Sequence, residues 1–192
     1  AKVFGLTPPG IINERTERKP ECLYSISKQA SADLIEYYRR AHGVKASIIF
    51  LFNHESKLRR ASFFIPLIVQ GLNRARKGMS ATIDVNSLSF YCDWGCADEF
   101  MSIAVKISEN LIGEDYVIGT GRTIHAREFV EEIFACYDLD YRDFLREKTT
   151  APLNSQYFVD ISKLRKDLGV APHTRIIDLC LKMVDDNTVF RQ

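Results

Sequence analysis

The apolar positions of this chain fall into two patterns, stripes at helical spacing and short unbroken runs. Ile26, Ala30, Leu34 and Tyr37 or Tyr38 recur about one turn apart and Gly43 follows as a stop, which predicts a helix over 24–42. The run Ala46-Ser-Ile-Ile-Phe-Leu-Phe52 predicts a strand buried on both faces, as in a parallel sheet. Asn53-His-Glu-Ser56 then reads as the loop at its carboxyl end, where open α/β sheets seat their ligands. Ahead of these, residues 1–5 read as the end of a buried strand stopped by Gly5; residues 6–21, with Pro8, Pro9, Gly10, Pro20 and many charges, read as a loop. Further on, the pattern predicts helices over 63–76 and 97–110 and short strands over 82–85 and 116–118. Thr123 reads as the N-cap of a helix over 123–137, residues 161–168 as a short helix ended by Gly169, and residues 174–185 as the last helix. Strands alternating with helices imply an α/β fold, and no internal repeat or low-complexity tract interrupts them.

Composition narrows the function. The 192 residues are 46% hydrophobic and 27% charged, ordinary values for a globular domain with a real core. Lys+Arg is 26 against 25 for Asp+Glu, a balance that argues against a chain built to grip nucleic acid or an anionic membrane. The one basic cluster, Arg74, Arg76 and Lys77, reads as solvated charge at a helix end. Of the cysteines at 22, 92, 96, 136 and 180, only Cys92 and Cys96 are close, and no second pair completes a zinc set; free thiols and no metal are expected. No stretch reaches the roughly 18 apolar residues of a membrane span, and no signal peptide opens the chain, so a cytoplasmic protein is expected.

The residues that carry chemistry begin with Tyr24-Ser-Ile-Ser-Lys28. This spacing sets a phenol and an ammonium on one helix face, one turn apart. A nearby ammonium favours the phenolate, and such a pair can pass a proton to or from a substrate hydroxyl. On residue type alone, the same spacing also suits an ordinary amphipathic face.

Four segments decide between these readings: Tyr24 to Lys28; Leu51-Phe-Asn-His-Glu-Ser56; Asp93-Trp-Gly95 with Ala97 and Asp98; and Asp115-Tyr-Val-Ile-Gly-Thr-Gly121 ahead of Arg127-Glu-Phe-Val130. Asp160-Ile-Ser-Lys163 and Leu168-Gly169 add to them. In this order they resemble the extended short-chain dehydrogenase/reductases, the NAD-dependent epimerase/dehydratase family, and within it the GDP-mannose 4,6-dehydratases. Those enzymes carry L-F-N-H-E-S followed by P-R-R-G, then R-D-W-G, D-P-S-K-A and L-G-W. The resemblance implies the C-terminal part of a Rossmann-like doubly wound parallel sheet plus a smaller α/β substrate lobe. Residues 1–52 would supply the last strands and catalytic helix of the dinucleotide-binding domain, and residues 53–192 the sugar-nucleotide lobe.

It also implies roles. Tyr24 is the expected catalytic acid/base, and Lys28 its partner, which also holds the nicotinamide ribose. His54 and Arg59 match positions that contact the cofactor, NADP or NAD, and Asn53 lies at the substrate mouth. Without the resemblance, Asn53 and His54 read as strand-end caps and Arg59 as one of several loop charges. The implied partner is a sugar nucleotide, a GDP-hexose, in a dimer or tetramer with the Tyr24 helix at its face.

The chain departs from the family pattern in three ways. It has no glycine-rich loop between an early strand and a helix, and it opens where the family has its Thr-Ser-Glu segment; a fragment, a partner of another chain or a relic is therefore expected. Lys2 stands where the family has the glutamate that takes the C5 proton, and an ammonium is no base at neutral pH. Phe90-Tyr-Cys92 replace basic residues ahead of D-W-G, Leu67 replaces another, and residues 150–156 hold no arginine. Tyr91 reads as a core aromatic or as a stacking surface for a base. These departures leave three expectations: a 4,6-dehydratase, a 4-keto-sugar reductase or epimerase, and a non-catalytic homologue kept for binding or assembly.

Overall fold

A computed structural model describes residues 1–5, 10–79, 82–110 and 113–191; Pro8 and Pro9 of the expected loop lie outside them. After a 3₁₀ turn at Lys2–Phe4, the order is β1 (Ile11–Ile12), α1 (Leu23–His42), β2 (Ile49–Leu51), β3 (Asn53–Glu55), α2 (Phe64–Arg76), β4 (Ile83–Val85), β5 (Tyr91–Cys96) and α3 (Ala97–Asn110). There follow β6 (Tyr116–Ile118), β7 (Thr123–His125), α4 (Ala126–Ala135), a 3₁₀ turn at Tyr141–Asp143, β8 (Leu145–Glu147), β9 (Phe158–Val159), α5 (Ser162–Leu168) and α6 (Ile176–Asp185). The fold is α/β. Four pairings are parallel, β1 with β9, β2 with β6, β3 with β5 and β4 with β8; β7 runs antiparallel to β5.

The helices form where the apolar stripes place them. α1 stops at Gly43, whose left-handed φ of 64° lets its N–H close back on Arg39 and Tyr38. Three strand expectations change. Residues 2–4 are a 3₁₀ turn, with Val3 and Phe4 buried by packing rather than by a ladder. Asn53–Glu55 is a strand, not a loop. The extended run passes through Phe52, whose N–H still reaches Ile118 O at 2.9 Å, and then changes partner from β6 to β5. Polar side chains do not prevent this, because the ladder is made by backbone groups. The buried side chains of the run are Ile48, Phe50 and Phe52, with Ile49 and Leu51 half-buried, so its two faces are unequally covered. Finally, residues 123–125 pair with β5 and the helix begins only at Ala126, so Thr123 is a strand residue and not a cap.

Two apolar cores hold these elements. One gathers Phe4, Phe50, Phe52, Phe100, Tyr116 and Leu164, drawn from the 3₁₀ turn, β2 and its extension, α3, β6 and α5. The other packs α2, α4 and α6 together through Ile65, Leu72, Phe129, Phe134, Cys180 and Val184. Each large side chain fully buried in this way contributes about 1.5–3 kcal/mol of transfer free energy. All five cysteines are free. No helix among the described residues is long and apolar enough to cross a membrane.

Candidate active site

α1 is oriented by its two ends. At its carboxyl end, Arg39 pairs with Asp115 at 2.8 Å and donates to Gly113 O at 2.8 Å, while Asp115 accepts from Ile48 N at 3.0 Å. That end therefore lies where β2 and β6 begin; the 3₁₀ turn at Lys2–Phe4 also packs against α1, and the Ala1 amino group ahead of it donates to Leu51 O at 2.7 Å, where β2 finishes. At the amino end of α1, Ser25, buried in the first turn, accepts from the N–H groups of Glu21 and Cys22 at 3.1 and 3.0 Å and donates to Cys22 O at 2.9 Å. This closes the helix start, as an N-terminal capping network does.

Tyr24 and Lys28 sit on the solvent side of this turn. Tyr24 is 60% exposed, and the Lys28 ammonium lies 5.6 Å from the Tyr24 ring centre. The structure thus brings together the two residues expected to act as a pair. Lys2 lies at the same end: its turn packs against α1, and its charge adds a small pull to the Ser25 hydrogen bonds that lower the Cys22 thiol pKa.

Asn53, His54 and Arg59 follow at the carboxyl end of β2. The Asn53 amide donates to Cys92 Sγ at 2.6 Å, so the residue standing in place of a family basic side chain faces the expected substrate residue. Cys92 is buried, and burial pushes its thiol pKa up; the Tyr157 hydroxyl nearby accepts from Asp93 N at 3.3 Å. His54 lies half-buried against the Phe100 ring, centres 5.5 Å apart, and its Nδ1 donates to Phe52 O at 2.8 Å, which leaves Nε2 as the nitrogen for another partner. Arg59 lies over the Phe63 ring at 3.9 Å and pairs with Glu55 at 3.6 Å. Among the described residues no hydrogen bond or ion pair joins Tyr24 or Lys28 to Asn53, His54 or Arg59.

Two acidic residues were given no role by sequence reasoning. Glu55 is 3% exposed, and burial raises its carboxyl pKa to about 7 against the opposing pull of Arg59. It borders a cavity of about 250 Å³ with Cys96, Asp98, Lys182 and Met183. Its one sequence signal was its place within N-H-E-S. Asp93, fully buried, accepts from Thr120 N, Thr120 Oγ1 and Gly121 N, each at 2.9 Å. It ties the D-W-G segment to the Gly119-Thr-Gly121 turn, which explains why two distant motifs occur together. Burial still raises the Asp93 pKa, with those bonds pulling the other way.

The model of the family described as GDP-mannose 4,6 dehydratase matches residues 1–183. The chain belongs to the GDP-mannose 4,6-dehydratase family. GDP-mannose 4,6 dehydratase 2 of Arabidopsis thaliana is 28% identical over 196 residues, covering 97% of this chain and 51% of the relative. The chain thus spans about half the length of the curated relatives it matches, 51% and 52% for the two from Arabidopsis. Two solved structures share its fold. RMD from Pseudomonas aeruginosa, complexed with NADPH, superposes with a TM-score of 0.81 at 19% identity over 97% of this chain and 62% of its own. dTDP-glucose 4,6-dehydratase from Bacillus anthracis, in complex with NAD, superposes with a TM-score of 0.81 at 20% identity over 96% and 58%. The match falls on the C-terminal portion of these Rossmann-like proteins.

Proposed function

We propose that this chain of the GDP-mannose 4,6-dehydratase family carries the proton-transfer pair and the substrate lobe of a nicotinamide-dependent enzyme acting on a sugar nucleotide, a GDP-hexose. The observation that carries the reading is the exposed Tyr24–Lys28 pair at the amino end of α1. Tyr24 takes or returns the proton of the sugar C4 hydroxyl, with the Lys28 ammonium beside it on the same helix face. Asn53 orients the sugar from the end of the strand.

The residues present suit one end of a dinucleotide. An ammonium, an imidazole with one nitrogen spare and a guanidinium without hydrogen-bonded acceptors among the described residues suit this, so Lys28, His54 and Arg59 would hold the nicotinamide half of NADP or NAD. When bound, that group supplies the hydride acceptor at C4. Among the described residues, no glycine-rich loop running from a strand into a helix is present to seat the pyrophosphate at a helix end. Gly119 and Gly121 separate two strands, β6 and β7, rather than a strand and a helix.

Lys2 at the amino end of α1 favours chemistry confined to C4, as in a 4-keto-sugar reductase or epimerase, over the full elimination. A second reading, a non-catalytic binding or assembly partner, is favoured by Cys92, which occupies the Asn53 amide where a phosphate-binding side chain is expected. Exposed Leu23, Ile26, Leu34, Tyr37 and Tyr38 on α1 support assembly, as a homo-oligomer or with another chain.

Turnover of GDP-mannose with NADP or NAD separates these readings. Tyr24→Phe is expected to reduce turnover about 10²-fold or more, the range of a lost general acid/base. Equal turnover in the variant removes Tyr24 from the chemistry, and no turnover of any GDP-, CDP- or UDP-hexose by the folded wild type favours the partner reading.

A further inference from the structure

The Arg59 side chain is fixed from two sides and bonded on neither. Its guanidinium carbon lies 3.9 Å from the centre of the Phe63 ring, and its Nε lies 3.6 Å from Glu55 Oε2. Both Nε and Oε2 are buried without a hydrogen-bond partner, and among the described residues the rest of the guanidinium donates to no acceptor either. The loop that presents it is closed by Arg59 N to Ser56 O at 3.0 Å and Phe63 N to Arg60 O at 3.1 Å, and is tied down by Ala61 N to Arg191 O at 2.7 Å. Its neighbours Lys57, Leu58 and Arg60 are exposed, whereas the Arg59 side chain is 30% exposed.

A guanidinium presents five donors in one plane. With one face on Phe63 and the Nε edge toward Glu55, the terminal nitrogens form the edge left for an anion. Once ionised, Glu55 fixes that edge electrostatically, and the ring fixes its plane. An arginine held this way loses less freedom when it grips a phosphate than one ranging over the surface.

We propose that Glu55 and Phe63 are positioning residues that aim the Arg59 guanidinium at a phosphate of the bound dinucleotide. This rests on the reading of Arg59 as a cofactor contact. It assigns a purpose to the one carboxylate that the fold buries in the N-H-E-S segment beside a cation, and it makes Phe63, which lies outside that motif, part of the site.

The test is a set of double-mutant cycles on the full chain, read as the dissociation constant for NADPH, with circular dichroism confirming that each variant is folded. Arg59→Ala is expected to weaken binding about tenfold, the loss of one charge-assisted contact. Glu55→Gln and Phe63→Leu should each weaken it about threefold while Arg59 is present and change nothing further in the Arg59→Ala background. A merely structural role would lower affinity in both backgrounds. If Arg59→Ala weakens binding while Glu55→Gln and Phe63→Leu bind like wild type, or their losses persist without Arg59, the positioning role is overturned and the cofactor reading of Arg59 stands. If Arg59→Ala itself binds NADPH as tightly as wild type, the cofactor reading of Arg59 fails and the positioning role falls with it.

Discussion

Glu55 shows how a single residue can be legible in identity yet not in environment. Its place in N-H-E-S was evident, but its burial arises from a change of strand partner at Phe52 that no periodicity announces. The carboxyl is taken out of water beside one cation that makes no hydrogen bond to it, so desolvation prevails and its pKa rises from 4.5 to about 7. Between those values the folded chain holds a proton that the unfolded chain has released. Stability should therefore fall as the pH rises from about 4.5 to about 7 and level off above. Chemical denaturation across this range should show the fall in the wild type, and a flatter profile in Glu55→Gln. An identical slope in the variant would mean that other groups control the titration. The Tyr24–Lys28 pair is the opposite case: spacing alone placed both groups on one face, and the structure keeps them there in solvent.

At the scale of elements, helices were read well and strands were read by their apolar content only. The helix over 97–110 was expected with the bounds it has, and α1 and α2 begin within a residue of expectation, because apolar stripes and glycine stops are local signals. β5 escaped notice. Tyr91–Cys96 has no alternation, since it pairs on both sides and buries Asp93 as well as Trp94. The same central position explains Gly95. A Cβ there would overlap the Phe100 ring, which packs onto β5 from α3. Gly95→Ala should thus cost about 1–3 kcal/mol through overpacking. A melting temperature equal to wild type would show that the Phe100 ring can retreat at no cost. β3 and β7 were missed for a related reason: both take their place from β5, and their own side chains are largely polar.

For the whole molecule, the sequence conveyed the family and the α/β class, because motifs far apart in the chain meet through β5, β6 and the turn that Asp93 fastens. It did not convey how the two cores divide the chain. α3, β6, β9 and α5 return to the core built around Phe4 and Phe50, while α2, α4 and α6 build the other. Such long-range returns are set by tertiary packing and leave little local trace.

The most direct test of this account is a calorimetric titration of NADP and NAD into the purified protein, wild type and Lys28→Ala. The account predicts that at least one of the two binds, and that Lys28→Ala binds it about tenfold more weakly, as the loss of one charge-assisted contact to the nicotinamide ribose requires. A folded protein that takes up neither dinucleotide at millimolar concentration would contradict it.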